Sequence, residues 1–230
     1  MTTHDAAPAV SSSTSDAMPQ LERAVRRLHR GLIEAVLAPG SIPSVSELSA
    51  RLETSEEALR TELATLAAAD YLSLDEGGQV SCLYPFSPTP TSHVVVIDGQ
   101  PRYAMCAIDA LGIPAMLGQE LGIEGRCAVC NAPMTLTIAP GEIVSAAPPA
   151  ALIVARRDEA EPAFAACCPF TVFVCGQPHA EQFMRRIPGT HALPLAEALT
   201  EAEKIFADLL AEDLPARRPR GKRWEAASDA

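Results

Sequence analysis

A cysteine and an aspartate stand three residues apart in the stretch from Arg102 to Leu111, and this pair is the first chemical signal in the chain. If residues Ala104 to Leu111 are helical, Cys106 and Asp109 lie on the same face of the helix. A cysteine in the first turn of a helix meets the positive end of the helix dipole, which favours the thiolate. An acid beside a nucleophilic sulfur can hand over a proton as the sulfur attacks. The pair therefore indicates thiol chemistry with a proton donor close by.

Several other cysteines can supply a second sulfur to this pair. The chain has seven cysteines, at positions 82, 106, 127, 130, 167, 168 and 175. The adjacent residues Cys167 and Cys168 stand out, because vicinal cysteines are uncommon and both side chains cannot point into one core. Cys82 and Cys175 lie in apolar segments and are expected to be inert packing residues.

The motif C-x-x-C at Cys127 and Cys130 is a competing signal, since it reads as half of a zinc site or as a redox dithiol. A four-cysteine zinc site would need this motif together with the vicinal pair. Adjacent cysteines make awkward tetrahedral ligands, and the usual second C-x-x-C is missing, so this site is disfavoured. His179 and His191 lie near no other ligand candidate in the sequence and are expected at the surface.

Composition narrows the class of protein. The 230 residues are 48% hydrophobic with a net charge of −11, which suits a globular core but disfavours nucleic acid and anionic lipid as partners. Residues Met1–Gln20 lack the basic and apolar regions of a signal peptide, and no apolar run approaches the length of a membrane span. We therefore expect a cytoplasmic protein whose thiols are reduced.

The first part of the chain is predicted to be mostly helical. Residues 1–18 are rich in Ser, Thr and Ala and are expected to be disordered. The predicted elements that follow are helices over Pro19–Leu37, up to Leu52 and over Ser55–Asp70, and a hairpin over Tyr71–Leu83. Three helices and a hairpin indicate a winged-helix-like module over residues 19–84. The third helix carries three glutamates and one arginine, which disfavours a DNA reader and hence a metal-sensing regulator.

The second part, over residues 91–212, alternates strands and helices and gives the chain a predicted α+β class. Its first strand, Ser92–Gln100, is β-branched and ends in the turn Asp98-Gly99. Further strands are predicted over Met134–Ile138, Glu142–Ala146, Ala151–Ala155 and Phe170–Cys175, and helices over His179–Arg186 and Pro194–Glu212. Residues 213–230 include a basic run and are expected to form a flexible tail.

Several short motifs, in order along the chain, resemble the organomercurial (alkylmercury) lyase family. They are Thr91-Ser92, Ile97-Asp98, Tyr103-Ala104, Cys106-Ala107-Ile108-Asp109, Pro114-Ala115, Cys127-Ala128, Ala132-Pro133 and Cys167-Cys168. The spacing C-x-x-D is a weak signal alone. Three groups of motifs in this order are fairly specific: the stretch around Cys106, the stretch around Cys127, and the pair Cys167-Cys168. The similarity extends from the first helix to about Leu210. Two positions depart from the family: Cys130, which usually has no counterpart, and Pro169, where a histidine is common.

The resemblance implies an enzyme that protonates the carbon–mercury bond, giving a hydrocarbon and Hg(II). It assigns Cys106 and Cys167 as the two thiols and Asp109 as the acid, with all three holding the Hg(II) product. Cys168 is a further candidate ligand, and Cys127 matches a family cysteine with a structural role. The resemblance also implies a winged-helix-like N-terminal part and a duplicated β-β-α-β arrangement in the catalytic domain.

No organic cofactor is implied by this resemblance. The expected partners are an organomercurial substrate, low-molecular-weight thiols that support turnover, and a mercuric reductase, with neither nucleic acid nor membrane involved. The alternative is a non-catalytic carrier of the same fold that holds mercury, copper or zinc in the same thiols. Asp109 separates these two hypotheses, because a carrier needs ligands but no proton donor.

Overall fold

The structure, a computed structural model, describes residues 14–38, 43–156 and 163–210. The chain opens with three helices and a two-stranded hairpin, in the predicted order. These elements are α1 (Thr14–Leu37), α2 (Val45–Leu52), α3 (Glu56–Ala68), β1 (Leu72–Leu74) and β2 (Val80–Leu83). Helix α1 includes the last residues of the segment expected to be disordered. The rest of that segment, and the predicted tail over residues 213–230, lie outside the described residues.

Serine caps define where two of these helices begin. Ser44 accepts a hydrogen bond from the backbone of Glu47, whose side chain accepts one from the backbone of Ser44, which together form a capping box. Ser55 caps α3 through the backbone N–H of Ala58. Three leucines of α3 are buried and pack into the core: Leu59, Leu63 and Leu66.

A five-stranded antiparallel sheet forms the first half of the second part. Its strands are β3 (His93–Ile97), β4 (Gln100–Tyr103), β5 (Leu121–Arg126), β6 (Pro133–Ala139) and β7 (Glu142–Ala147), in the spatial order β4-β3-β5-β6-β7. The β3–β4 turn has positive φ at both Asp98 (50°) and Gly99 (72°), the conformation that a two-residue hairpin needs.

A three-stranded antiparallel sheet and three helices complete the chain. The strands are β8 (Leu152–Arg156), β9 (Val172–Val174) and β10 (Thr190–Pro194), in the order β10-β8-β9. Helix α5 (Ala163–Ala166) and a 3-10 turn (Cys168–Phe170) lie between β8 and β9, and α6 (Gln177–Arg186) and α7 (Leu195–Phe206) flank β10. The mixed α+β class is confirmed, whereas β4, β5 and β10 were not predicted. The duplicated β-β-α-β arrangement and the winged-helix likeness stay predictions.

Helix α4 (Ala107–Leu117) occupies the centre of the core. Nine of its eleven residues are buried, so it is apolar around almost its whole circumference. It packs against α7 so closely that a Cβ atom at Gly112 would overlap the ring of Phe206. Asp109 is the single ionisable residue in this helix. Burying the charge of a carboxylate in an otherwise apolar helix is costly, which points to a function for Asp109 beyond packing.

The helical first part is attached directly to the sheet. Arg102 in β4 donates hydrogen bonds to the carbonyls of Val36 (3.0 Å) and Leu37 (2.8 Å) at the end of α1. The backbone N–H of Met105 donates to the carbonyl of Pro85 at 2.9 Å. The buried core runs without a break from α1 to α7. Among the described helices, none combines the length and apolar character that crossing a membrane requires.

Candidate active site

Cys106 and Asp109 lie at the beginning of α4. The helix starts at Ala107 rather than at the predicted Ala104, so Cys106 is the N-cap residue, with an extended φ of −152°. Its carbonyl accepts the N–H of Ala110 at 3.0 Å, and Asp109 follows in the first helical turn. Both side chains are buried, at 5% and 4% relative exposure. The sequence therefore predicted the proximity of thiol and carboxylate, although the helix register differs.

Cys168 brings a second sulfur to this pair. The thiol of Cys168 lies 3.9 Å from Oδ2 of Asp109. The two sulfur atoms of Cys106 and Cys168 and a carboxylate oxygen of Asp109 all lie within 4.8 Å of one another. The segments are held together by the backbone, because the N–H of Ala107 donates to the carbonyl of Thr171 at 3.1 Å. We call Cys106, Asp109 and Cys168 the buried triad.

Cys167, which the resemblance assigned to this position, is not a member of the triad. It is half-buried and precedes the 3-10 turn, whereas Cys168 is the first residue of that turn and is buried. The carbonyl of Cys167 accepts hydrogen bonds from Oγ1 of Thr171 (2.9 Å) and from the N–H of Phe170 (3.0 Å). Of the two adjacent thiols, it is the Cys168 sulfur that lies 3.9 Å from Oδ2 of Asp109. The placement of Cys167 as the second catalytic thiol therefore stays a prediction, beside the closer position of Cys168 in this structure.

The ionisation of Cys106 differs from the expectation that the helix dipole would favour a thiolate. Burial raises the pKa of Cys106 well above its usual value, and the hydrogen bond with Cys168 and the charge of Asp109 raise it further. The N-cap position lies at the positive end of α4, but burial and the adjacent carboxylate outweigh that contribution. In the free protein the Cys106 sulfur is therefore a thiol, and a ligand that binds sulfur must displace its proton.

The end of the β1–β2 hairpin lies close to the triad. Burial raises the pKa of Cys82 in β2 to about 11, and the nearby Cys168 and Asp109 contribute to this rise. Burial also raises the pKa of Tyr84, again with contributions from Cys168 and Asp109. These two side chains are themselves buried, so the end of the hairpin closes one side of the site. The N-terminal part thus helps to exclude water from the triad.

A second cluster of sulfur atoms lies at a different place in the fold. Cys127 and Cys130 follow β5, Cys175 follows β9, and His179 lies in the first turn of α6. Nδ1 of His179 is 2.9 Å from the sulfur of Cys175 and 3.5 Å from that of Cys127, and the sulfur atoms of Cys130 and Cys175 are 3.9 Å apart. All four ligand atoms lie within 4.8 Å of one another. We call this group the knuckle cluster.

The knuckle cluster corrects two sequence-based expectations. Cys175 is half-buried and contacts His179, so it is not an inert core residue, and His179 is not an isolated surface histidine. His191 is exposed, as expected. The ligand set that was considered for zinc also changes, since the vicinal pair does not join the C-x-x-C motif. The signal that was overlooked is the short spacing of Cys175 and His179, which are four residues apart at the beginning of α6.

The thiols of the knuckle cluster ionise differently from one another. Burial opposes ionisation of Cys127, but N–H groups of the backbone at Cys130, Val129 and Cys175 outweigh it and lower the pKa of Cys127 to about 6. Burial, together with hydrogen bonds to Cys127 and Cys130, raises the pKa of Cys175 to about 11. The backbone around Cys127 therefore favours its thiolate form, in contrast to the surroundings of Cys106.

Comparison with known proteins identifies the family. The family model for alkylmercury lyase, MerB, matches residues 86–207. The alkylmercury lyase of Staphylococcus epidermidis is 30% identical over 172 residues, which cover 74% of this chain and 77% of that protein. This chain belongs to the alkylmercury lyase family. The expectation that the sequence motifs raised is thereby confirmed.

Other members of the alkylmercury lyase family give the same result. The alkylmercury lyase of Bacillus cereus is 28% identical over 190 residues, covering 82% of this chain and 84% of that protein. Among solved structures, the mercury-bound form of MerB2 superposes with a TM-score of 0.68 at 17% identity, covering 81% of this chain and 91% of the other. At that identity the structural match establishes a shared fold.

Proposed function

We propose that this protein is an alkylmercury lyase, an enzyme that cleaves the carbon–mercury bond of organomercurials to a hydrocarbon and Hg(II). The observation that carries the proposal is the buried triad, in which two thiols and a carboxylate lie within 4.8 Å of one another. Membership of the alkylmercury lyase family supports the same activity. The triad supplies both of the groups that the reaction needs, soft ligands for mercury and a proton for carbon.

The two thiols account for activation of the metal. A carbon–mercury bond is inert in water, and a single thiolate forms a linear adduct that remains stable. A second thiolate raises the coordination of mercury and pushes electron density towards carbon. Thiolates suit this soft metal better than oxygen or nitrogen ligands. Cys106 and Cys168 are proposed as these two ligands, because both sulfur atoms face Asp109.

Asp109 is proposed as the residue that moves the proton. The substrate enters as R–Hg–SR′, where SR′ is a small thiolate, and Cys106 displaces SR′, which leaves as HSR′ with the Cys106 proton. Cys168 then binds mercury while its proton passes to Asp109, whose Oδ2 is 3.9 Å from that sulfur. The protonated Asp109 delivers the proton to carbon. The electron pair of the carbon–mercury bond becomes the new C–H bond, and Hg(II) stays on two thiolates.

The high pKa of Cys106 fits this sequence of steps. Because burial keeps the sulfur protonated in the free protein, the proton is released only when mercury binds. The site thus conserves its protons until the metal arrives, and each of the two thiol protons ends on a product. A site that rested as two thiolates beside a carboxylate would bind mercury but would have to take its proton from water.

Turnover requires that Hg(II) leaves the triad, and small thiols are the proposed acceptors. Cellular thiols would exchange with the protein thiolates, and a mercuric reductase could remove the ion downstream. The chemistry uses only side chains of the chain itself, so the scheme includes no organic cofactor. In this scheme Cys168 is the second thiol, and the half-buried Cys167 beside it is the further candidate ligand.

The second candidate function is a metal carrier that binds mercury, copper or zinc without cleaving a bond. The presence of Asp109 favours the enzyme, because a carrier gains nothing from a carboxylate buried to 4% exposure in an otherwise apolar helix. The knuckle cluster has no carboxylate among its four residues and so resembles a carrier site more closely than the triad does.

The test is the release of hydrocarbon. Purified protein is mixed with methylmercury and excess thiol, and methane in the headspace is measured by gas chromatography. We expect many methane molecules per chain from the wild type and only the protein-free rate from Cys106→Ser, because a hydroxyl binds mercury poorly. Circular dichroism checks that the variant is folded. A protein that binds mercury stoichiometrically but releases no methane would be the carrier.

A further inference from the structure

We propose that the knuckle cluster is a structural Zn(II) site of the type Cys3His, with Cys127, Cys130, Cys175 and His179 as the ligands. Three sulfur atoms and one imidazole nitrogen converge there from two separate segments of the chain, all within 4.8 Å of one another. Structural zinc sites are closed by four such ligands, and catalytic ones keep a position open. The assignment concerns folding and is independent of carbon–mercury cleavage.

The spacing of the ligand atoms suits tetrahedral zinc. With Zn–S bonds of about 2.3 Å and a Zn–N bond of about 2.0 Å, ligand sulfur atoms lie about 3.8 Å apart and a sulfur–nitrogen pair about 3.5 Å apart. The sulfur atoms of Cys130 and Cys175 are 3.9 Å apart, and Nδ1 of His179 is 3.5 Å from the sulfur of Cys127. A third pair, the sulfur of Cys175 and Nδ1 of His179 at 2.9 Å, is in hydrogen-bond contact and needs only a small outward shift of the ring.

The C-x-x-C segment already has the backbone form of a zinc-binding turn. The N–H of Asn131 donates to the carbonyl of Cys127 at 2.8 Å, and the N–H of Cys127 donates to the carbonyl of Ala132 at 2.9 Å. Asn131 has a left-handed φ of 60°, which closes the turn. The backbone N–H groups of Val129 and Cys130 point at the Cys127 sulfur. Backbone N–H groups in this position stabilise a metal-bound thiolate by donating hydrogen bonds to its sulfur.

A metal here would join two segments that belong to different sheets. Cys127 and Cys130 belong to the connection between β5 and β6 in the five-stranded sheet. Cys175 follows β9 of the three-stranded sheet, and His179 lies in the first turn of α6. One hydrogen bond, from the N–H of Ala128 to the carbonyl of Phe173 at 3.0 Å, already links them. Zinc would fix the end of β9, whose opposite end leads to Cys168.

Zinc fits the cluster better than mercury does. Mercury(II) is satisfied by two thiolates in a linear arrangement, as proposed for the buried triad. Four ligands that include an imidazole, arranged around one point, are the set that tetrahedral zinc selects. The cluster also lacks a carboxylate that could protonate carbon. Its residues are therefore suited to holding an ion permanently, with Cys130 at the protein surface as the point of entry.

The first experiment measures metal in the wild-type protein. Chain purified without chelator is analysed by inductively coupled plasma mass spectrometry, and we expect about one zinc per chain. Chain stripped of metal and loaded with Co(II) should show the thiolate-to-cobalt charge-transfer absorption and the intense d–d bands of a tetrahedral site. Stripping should lower the melting temperature, and zinc should restore it.

Matched variants locate the ion. Cys130→Ser and His179→Gln should lower the zinc content to less than about a tenth per chain and abolish the cobalt spectrum, since each removes one of four ligands. The controls Cys167→Ser and His191→Gln change a thiol and an imidazole outside the cluster and should retain about one zinc. Cys130 is exposed, so its substitution should leave the packed core intact.

Three outcomes would overturn the proposal. The first is wild-type protein that neither contains zinc nor takes up Zn(II) or Co(II) when reduced. The second is full zinc content in Cys130→Ser together with loss of zinc in Cys106→Ser, which would place the ion in the buried triad. The third is a Cys130–Cys175 disulfide that persists under reducing conditions and excludes the metal.

Discussion

The buried triad and the knuckle cluster are built from the same thiol chemistry but differ in burial, charge and third partner. The triad includes the carboxylate of Asp109 and is buried at all three residues. The knuckle cluster includes the imidazole of His179 and reaches the surface at Cys130. Burial holds Cys106 as a thiol, and backbone N–H groups lower the pKa of Cys127 to about 6.

This difference shows how surroundings divide the work between two sets of cysteines. A protonated thiol next to a carboxylate can pass on its proton when a metal arrives, which suits bond cleavage. A thiolate held by backbone donors, with three further ligands around it, suits permanent binding of a metal ion. The number of cysteines would not distinguish these sites, but the residue that accompanies them does.

The largest effect on methane release is expected from removing the sulfur of Cys168, the second thiol of the buried triad. Cys168→Ser should reduce methane release to the protein-free rate, because mercury would lose its second thiolate. Cys167→Ser should remain active, since its side chain lies outside the triad. Methane release by the two folded variants is compared under excess thiol. Inactive Cys167→Ser with active Cys168→Ser would return the second ligand to Cys167, as the sequence motif indicated.

A smaller effect is expected from Asp109→Asn, which removes the acid that sets the triad apart from the knuckle cluster. The amide keeps the size of the side chain but cannot carry the proton, and loss of a positioned acid typically costs ~10²–10⁴ in rate. Stoichiometric Hg(II) binding should persist on Cys106 and Cys168. Single-turnover methane release and equilibrium mercury binding are measured on the same sample. Unchanged cleavage would mean that the proton comes from elsewhere, and lost mercury binding would make Asp109 a structural residue.

The smallest effect concerns stability in the strands between the two clusters. His93 in β3 pairs with β5 and packs its ring 5.4 Å from that of Phe173 in β9, and burial lowers the pKa of His93 to about 4. Because the unfolded chain takes up this proton near pH 6.5 and the folded chain only near pH 4, the stabilisation is present above pH 6.5 and is lost as the pH falls towards 4.

Between pH 7 and pH 5, His93 should therefore lower the free energy of unfolding by about 2 kcal/mol. His93→Phe preserves an aromatic ring and removes the titration. The free energy of unfolding of the wild type minus that of the variant should therefore fall by the same amount between pH 7 and pH 5. Urea unfolding at the two pH values measures it. Equal pH dependence in the two proteins would show that His93 is protonated as readily in the folded state as in the unfolded state.

Local features of the fold were predictable from the sequence wherever a residue type determines the backbone. The caps at Ser44 and Ser55 and the turn at Asp98-Gly99 each depend on a side chain or a positive φ within a few residues. Strand β10 escaped prediction because Thr190–Pro194 lacks a β-branched run and is stabilised by its pairing with β8.

The candidate site could be predicted only in part, because its geometry depends on distant segments. The spacing of Cys106 and Asp109 placed thiol and carboxylate together, since three residues span one helical turn. Which sulfur of the vicinal pair faces them depends on the 3-10 turn with Pro169 near its start, and the sequence alone does not specify that direction. The same holds for Cys175 and His179, which meet the C-x-x-C motif only after the two sheets pack.

The most direct test of the account is the position of mercury after one turnover. Protein is mixed with substoichiometric methylmercury without added thiol, methane release is verified, and the product complex is crystallised and located by anomalous scattering at the mercury edge. The account predicts one mercury peak bonded to the sulfur atoms of Cys106 and Cys168 beside Asp109. A peak bonded to Cys167 in place of Cys168, or found only among Cys127, Cys130 and Cys175, would contradict it.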